Sequence, residues 1–248
     1  MSELEKDRII LELQKRVNKL EGKDDDGIPT YSFSKITENE LFSLVDIHRD
    51  LNDTIFDTWF HNNIEISDET VAVFVKLIKN NIQLIKTYNE EDLKVNMIIP
   101  ILNRVEFKSF ENEFRDFYEL PLTYKTENYT FTGTTDFVVS KGLFRSEKPY
   151  FFIQEFKKGK VNTDPEPQLL AELISAIELN NELSMRGAYI VGENWNFVIL
   201  EKLGKNRYRY FVSRTFNSTN IEDLKEIYKN LIFVKKDIIE MIKGTLNA

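Results

Sequence analysis

Three residues in the middle of the chain have types and spacing that suit hydrolysis of a phosphate ester. Glu155 and Lys157 stand two apart inside the apolar run "YFFIQEFKKGK", residues 150–160, and Asp136 interrupts the β-branched run "TGTTDFVVS". In an extended strand, residues two apart share a face. Phe151, Ile153, Glu155 and Lys157 therefore point one way, and Phe152, Gln154 and Phe156 the other. A charge in such a run is costly unless it is paired, bound to a cation or opened to a site. Two carboxylates brought together repel unless positive charge lies between them, and a hard oxygen site for Mg²⁺ takes one or two carboxylates with backbone carbonyl and water. Lys157 alongside would orient or deprotonate a water, or stabilise developing negative charge. The competing reading is an ion network with no catalysis.

An acid two residues before a lysine occurs five times: Glu21/Lys23, Asp92/Lys94, Glu106/Lys108, Glu155/Lys157 and Asp223/Lys225. Only the Glu155/Lys157 pair lies in a strand-like apolar run. The other four read as solvated pairs on helices or helix ends.

The elements that must position these side chains follow from periodicity. From residue 91 the order reads as a helix across "EDLKVNMIIPILNRV", with Pro100 as a kink, and "NEFRDFYEL" continuing it or forming a second short helix. Two strands, "LPLTYKTE" and "YTFTGTTDFVVS", read as a hairpin, "KGLFRSEKP" as a turn, and "YFFIQEFKKGK" as the third strand. Asp164 caps a helix through "LLAELISAIELNNEL", and a buried strand "RGAYIVG" follows. "WNFVILEKLGKNRYRYFVS" reads as a further hairpin and residues 221–248 as an amphipathic helix. The expected class is α/β with a mixed sheet.

Lys141 and Arg145 in the turn, with Lys158 and Lys160 of "KKGK", would put positive charge near one end of these strands. Phosphate contacts supply most non-specific nucleic-acid affinity, so such a rim suits nucleic acid. "KNRYRYF", residues 205–211, either stacks a base or packs its tyrosines on one face of a hairpin.

The front of the chain differs in charge. Residues 1–90 hold 18 Asp/Glu against 11 Lys/Arg, net −7, while residues 91–248 hold 23 against 22, net −1. Ile10, Leu13, Val17 and Leu20 form a seam of about two heptads on a helix over residues 2–21, either docked on its own domain or pairing two chains. "EGKDDDGIP" reads as an exposed acidic linker. Helical periodicity resumes in "ENELFSLVDIHRDLNDTIFDTWF" and "ETVAVFVKLIKNNIQLIKTY". We expect residues 1–90 as an acidic helical region for oligomerisation, partner docking or regulation, 91–220 as the site-bearing core and 221–248 as a C-terminal helix.

The chain has no cysteine and only two histidines, His48 and His61, so thiolate chemistry is excluded and any metal must be held mainly by carboxylates. No apolar stretch reaches the length of a membrane span and the N-terminus carries no basic-then-apolar leader, which makes a cytoplasmic protein the expectation.

The sequence "TGTTDFVV", then "IQEFKKGK", then a helix opening with Gln168, resembles the PD-(D/E)xK nuclease superfamily, the restriction-endonuclease-like fold. The resemblance covers roughly residues 91–192 and implies an αβββαβ core. It implies Asp136 and Glu155 as acids binding Mg²⁺ or Mn²⁺, with the backbone carbonyl of Phe156 as a further ligand. Lys157 would be the catalytic lysine, and Gln168 the polar residue that helps position water or lysine. Where the family often has Pro before the first acid, this chain has Thr135. The acid of the first core helix falls to Glu90, Glu91 or Glu106, with Glu91 ranked first for its place at the helix start. The implied activity is phosphodiester hydrolysis, with DNA favoured, in a restriction or phage-defence setting. The rival is an inactive nuclease-like module that binds nucleic acid or assembles a complex.

Overall fold

The computed structural model describes residues 3–24, 26–157 and 164–246. In chain order its elements are α1 (Glu3–Leu20), β1 (Thr30–Ser32), α2 (Glu38–Leu44), β2 (Asp46–Arg49), α3 (Asp57–Phe60), α4 (Asp68–Asn81), α5 (Glu90–Leu93) and α6 (Ile99–Val105). They continue as β3 (Lys108–Ser109), β4 (Phe114–Lys125), β5 (Thr130–Lys141), β6 (Glu147–Lys157), α7 (Pro165–Asn180), β7 (Ser184–Val191), β8 (Asn194–Gly204), β9 (Arg207–Val212), β10 (Phe216–Asn217) and α8 (Ile221–Leu246). The class is mixed α/β, as expected.

Among the described residues the strands form one sheet in the order β2-β9-β8-β7-β6-β5-β4-β3, with β1 added to β5 and β10 to β8. Pairing is antiparallel except for β6 with β7, β1 with β5 and β2 with β9. The parallel β6–β7 pair needs a crossover, and α7 supplies it. Asp164 caps α7 by accepting from the Glu166 amide, Pro165 fills the first turn, and Asn181 ends the helix in the left-handed region at φ 59°. Most of the helix surface is buried, which matches its nearly continuous apolar sequence.

Both sheet faces are covered. Leu169, Leu170, Leu173 and Ile177 of α7 join Val138, Ile153, Val198, Tyr208 and Tyr210 in one core, together with Phe33, Leu41, Val45 and Ile47. On the other face Trp59, Phe74, Met97, Leu102, Phe137, Phe152, Phe156, Phe197, Leu224 and Leu231 form the second. Residues 1–90 thus supply two strands to the sheet and side chains to both cores. Tyr208 and Tyr210 are buried, so "KNRYRYF" packs as a hairpin.

Several local readings needed correction. "NEFRDFYEL" is not helical: Phe114, Phe117 and Leu120 imitate helical spacing, but the segment pairs with β5 from Phe114 opposite Lys141 onward. The helical run at 38–60 is broken after α2. Val45 is extended, and Asp46–Arg49 pair with β9, which puts His48 on a strand. Phe151 joins Phe152 in the same core, because the β5–β6 register shifts beside Ser140 and breaks the alternation there. The expected kink at Pro100 takes the form of a π turn over Lys94–Ile98, in which the Ile99 amide donates to Lys94 O. Pro100 has no amide to give to the preceding turn, and the wider turn accommodates that loss.

Candidate active site

The β4–β5–β6 ladder opens at Asp136. β4 pairs Tyr118 with Phe137 and Leu120 with Thr135, leaving Glu119 and Asp136 opposite one another without a ladder pair. Glu119 takes φ 50°, an uncommon conformation for a residue with a side chain and one that recurs at functional sites. On the other side the β5–β6 ladder is regular from Phe137 opposite Gln154, and at its end the Phe156 amide donates to Asp136 Oδ2 at 2.8 Å. Amide and carbonyl of one strand residue point to the same neighbour, so the Phe156 carbonyl also faces β5. Gly133 helps to set this end of β5: at φ 158°, an added Cβ would meet Phe33 Cδ2 at 2.8 Å.

Glu155 follows in the open register and is almost fully buried. Lys157 Nζ donates to its Oε1 at 2.5 Å, while Glu155 Oε2 is buried with no hydrogen-bond partner. Burial raises the Glu155 carboxyl to about 8, reinforced by Asp136 close by and opposed by Lys157. Burial would lower the Lys157 ammonium, but Glu155, with Glu90 and Asp136 behind it, offsets this and the lysine is held above its ordinary value.

From α7, Gln168 Nε2 donates to Glu172 Oε1 at 3.2 Å. Glu172 is completely buried, and its Oε2 is a second carboxylate oxygen without a partner. Burial and the Glu155 charge raise its carboxyl well above the usual range. A cleft of about 490 Å³, lined by Phe33–Glu38, Asp164, Pro167 and Gln168, opens beside this end of α7.

Sequence reasoning missed a second lysine. Lys94 Nζ bonds Glu119 Oε1 at 2.9 Å and Asp136 Oδ1 at 3.3 Å, and lies 5.7 Å from the Phe156 ring centroid. Burial opposes its charge, but Glu119 and Asp136 hold the ammonium above its ordinary value. The pair Asp92/Lys94 is therefore no solvated accident. A usable signal was present: Lys94 lies on the helical face of Met97, Ile98, Ile101 and Leu102, all buried.

The structure thus brings Asp136, Glu155, Lys157, the Phe156 backbone, Gln168 and Glu172 together. Among the acids weighed for the first helix, Glu90 is the one whose charge reaches Lys157. Glu90 and Glu91 are both exposed, and Glu106 caps α6 in the left-handed region with its charge felt at Lys235. Lys141 and Arg145 are not part of this cluster. Lys141 is paired with Glu147 at the start of β6, about 30 Å of strand from Lys157. It lines a separate cavity of about 850 Å³ with Tyr150, Arg186 and Met241. The separation follows from hairpin geometry, in which the β5–β6 turn and the open end of the pair are opposite extremes. Lys158 and Lys160 lie outside the described residues.

The donors suit a hard cation in part. Asp136 and Glu155 are close enough to interact strongly, and orphaned carboxylate oxygens on Glu155 and Glu172 are what an oxygen-seeking ion would satisfy. Among the described residues no three Asp, Glu or His side chains close into a finished cage. Such a site would rest on two carboxylates, backbone carbonyl and water, the pattern usual for Mg²⁺. No helix among the described residues is long and apolar enough to cross a membrane. In comparisons with known proteins, the chain matches no family model and no curated protein sequence.

Proposed function

We propose that the chain is a Mg²⁺- or Mn²⁺-dependent nuclease that hydrolyses phosphodiester bonds, with DNA the favoured substrate. The observation that carries this reading is the opened register at Asp136, beside which two carboxylates and Lys157 lie at one point of the adjacent strands β5 and β6. The order of helix, three antiparallel strands, helix and parallel strand supports it, as the arrangement the resembled superfamily uses. DNA is favoured over RNA because that superfamily is mostly DNA-directed.

Asp136, Glu155 and the Phe156 carbonyl would hold the cation, with Glu90 the nearest first-helix acid. A divalent cation bound there supplies charge neutralisation and acidifies water. Lys157, kept as an ammonium, is suited to hold the attacking water and to stabilise charge on the phosphoryl oxygens. A raised ammonium is a poor base, so orientation is the better assignment. Gln168 and Glu172 brace the α7 side, and Lys94 neutralises Asp136 from the α5 side. In the hydrolysis, water oxygen bonds phosphorus as the ester P–O bond breaks, and the water proton ends on solvent or the leaving oxygen.

A second reading has its own support: Lys94 and Lys157 already pair with Asp136 and Glu155 without any metal. That arrangement suits a nuclease-like module that binds nucleic acid without cutting it. The two are separated by incubating the chain with supercoiled, linear and single-stranded DNA in Mn²⁺ or EDTA. Cleavage in Mn²⁺ that is lost in Glu155→Ala and Lys157→Ala is the expected result. Binding without cleavage on every substrate would favour the module, and cleavage surviving both substitutions would overturn the site.

A further inference from the structure

We infer that α1 pairs with α1 of a second copy of this chain as a parallel two-stranded coiled coil. Ile10, Leu13, Val17 and Leu20 stand at 62%, 53%, 45% and 89% exposure, and Ile9 beside them at 46%. An apolar seam along the last twelve residues of a helix and left in water is a covering surface waiting for a partner. The base of the helix is nevertheless fixed. The Lys23 amide donates to Asn18 O, the Thr30 amide to Gly22 O, and Asp24 and Asp26 pair with Lys125 on β4. The helix is thus tied to the sheet at its C-terminal end while its stripe faces outward.

The residue types name the occupant. Spacings of three and four put Ile10 and Val17 at the first core position of the heptad, and Leu13 and Leu20 at the second. β-branched residues at the first position with leucine at the second favour two parallel strands over three or four. In that register Arg16 flanks the seam on one side and Glu21, one residue past the end of α1, on the other. Their in-chain pairs, Arg16 with Glu12 at 3.3 Å and Glu21 with Lys23 at 2.7 Å, are exposed and weak, so each copy's Arg16 can reach its partner's Glu21. An antiparallel pair would bring like charges together instead. A lipid surface fits poorly, because residues 3–21 hold five acidic and five basic side chains and a membrane-surface helix is strongly basic on its polar face. The seam is short, so the dimer is expected to be reversible.

The chain has no cysteine, which makes a single Val17→Cys variant a clean reporter. Full-length protein measured by light scattering from about 1 to 100 µM should rise toward twice 29.3 kDa. Leu13→Glu should stay monomeric with unchanged circular dichroism and melting, since Leu13 is exposed in the single chain. Arg16→Glu should weaken the dimer about tenfold, and Arg16→Glu with Glu21→Arg should restore it. Val17→Cys should cross-link under mild oxidation, as equivalent core positions adjoin only in a parallel pair. A monomer across the whole range, a dimer that survives Leu13→Glu, or a dimer that Val17→Cys does not cross-link would overturn the inference. None of these readouts uses nuclease activity, so the result is independent of the function proposed above.

Discussion

Lys94 Nζ and Asp136 Oδ1 are 3.3 Å apart, with both side chains about seven-eighths buried, and the lysine comes from a helical turn wound to π pitch. The pair joins the first helix to the strand that carries the first acid, and Glu119, opposite Asp136, receives the same ammonium. Removing one member of a buried pair leaves the other uncompensated, which costs about 3 kcal/mol or more. Lys94→Met should therefore lower stability in EDTA by about that amount in urea denaturation. A divalent cation at Asp136 would replace the lost charge, so Mn²⁺ should stabilise Lys94→Met more than the parent. No Mn²⁺ stabilisation in either protein would show that no cation reaches Asp136, and equal shifts would show that Lys94 does not compete with one.

The two buried glutamates give the cation-free protein a definite pH dependence. Glu155 is raised from 4.5 to about 8 by burial and by Asp136, and Glu172 is raised by burial and by Glu155. Between roughly pH 5 and 8 the folded chain keeps protons that the unfolded chain has released, so stability must fall as pH rises. The stabilisation is complete below the unfolded value and is lost as pH passes the folded one. Melting in EDTA from pH 5 to 9 should show this decline. Glu155→Gln should make it shallower, since the amide cannot ionise, and leave the part that Glu172 contributes. A parent and a variant with parallel curves would remove Glu155 as its source.

The site was legible where charges interrupted a strand pattern and illegible where a charge sat on a helix. Asp136, Glu155 and Lys157 broke runs of β-branched and aromatic residues, and the Asp164 cap with Pro165 marked the start of the crossover helix. Lys94 escaped because a lysine two residues after an acid is normally solvated on a helix. Its partners Glu119 and Asp136 come from β4 and β5, 25 and 42 residues further along the chain, so the buried face it shares with Met97, Ile98 and Leu102 was the one local signal. The strands β1 and β2 were hidden for a similar reason. Each is only three or four residues long and exists by pairing with β5 or β9, far along the chain. The seam on α1 could be read in the sequence, but whether its own domain covered it could be seen only in three dimensions.

Gly187 on β7 tests whether α7 must sit tightly for the site to work. A Cβ at Gly187 would lie 2.9 Å from Ile153 O and 3.1 and 3.2 Å from the two Leu173 methyls. Ile153 leads to Glu155 on the same face of β6, and Leu173 adjoins Glu172 on α7. The carbonyl belongs to a paired strand and cannot yield, so the helix must move outward. Overpacking of this kind costs about 1–3 kcal/mol, and Gly187→Ala should lose that much in urea denaturation. Gly204, at the far end of β8, has nothing within 4 Å of an added Cβ, and Gly204→Ala should change stability little. Because the shift carries Glu172 and Gln168 away from Glu155, Gly187→Ala should also weaken Mn²⁺ binding, read as a smaller melting shift, while Gly204→Ala should not. A destabilised Gly187→Ala with the parental Mn²⁺ shift would show that α7 holds the core but takes no part in the cation site.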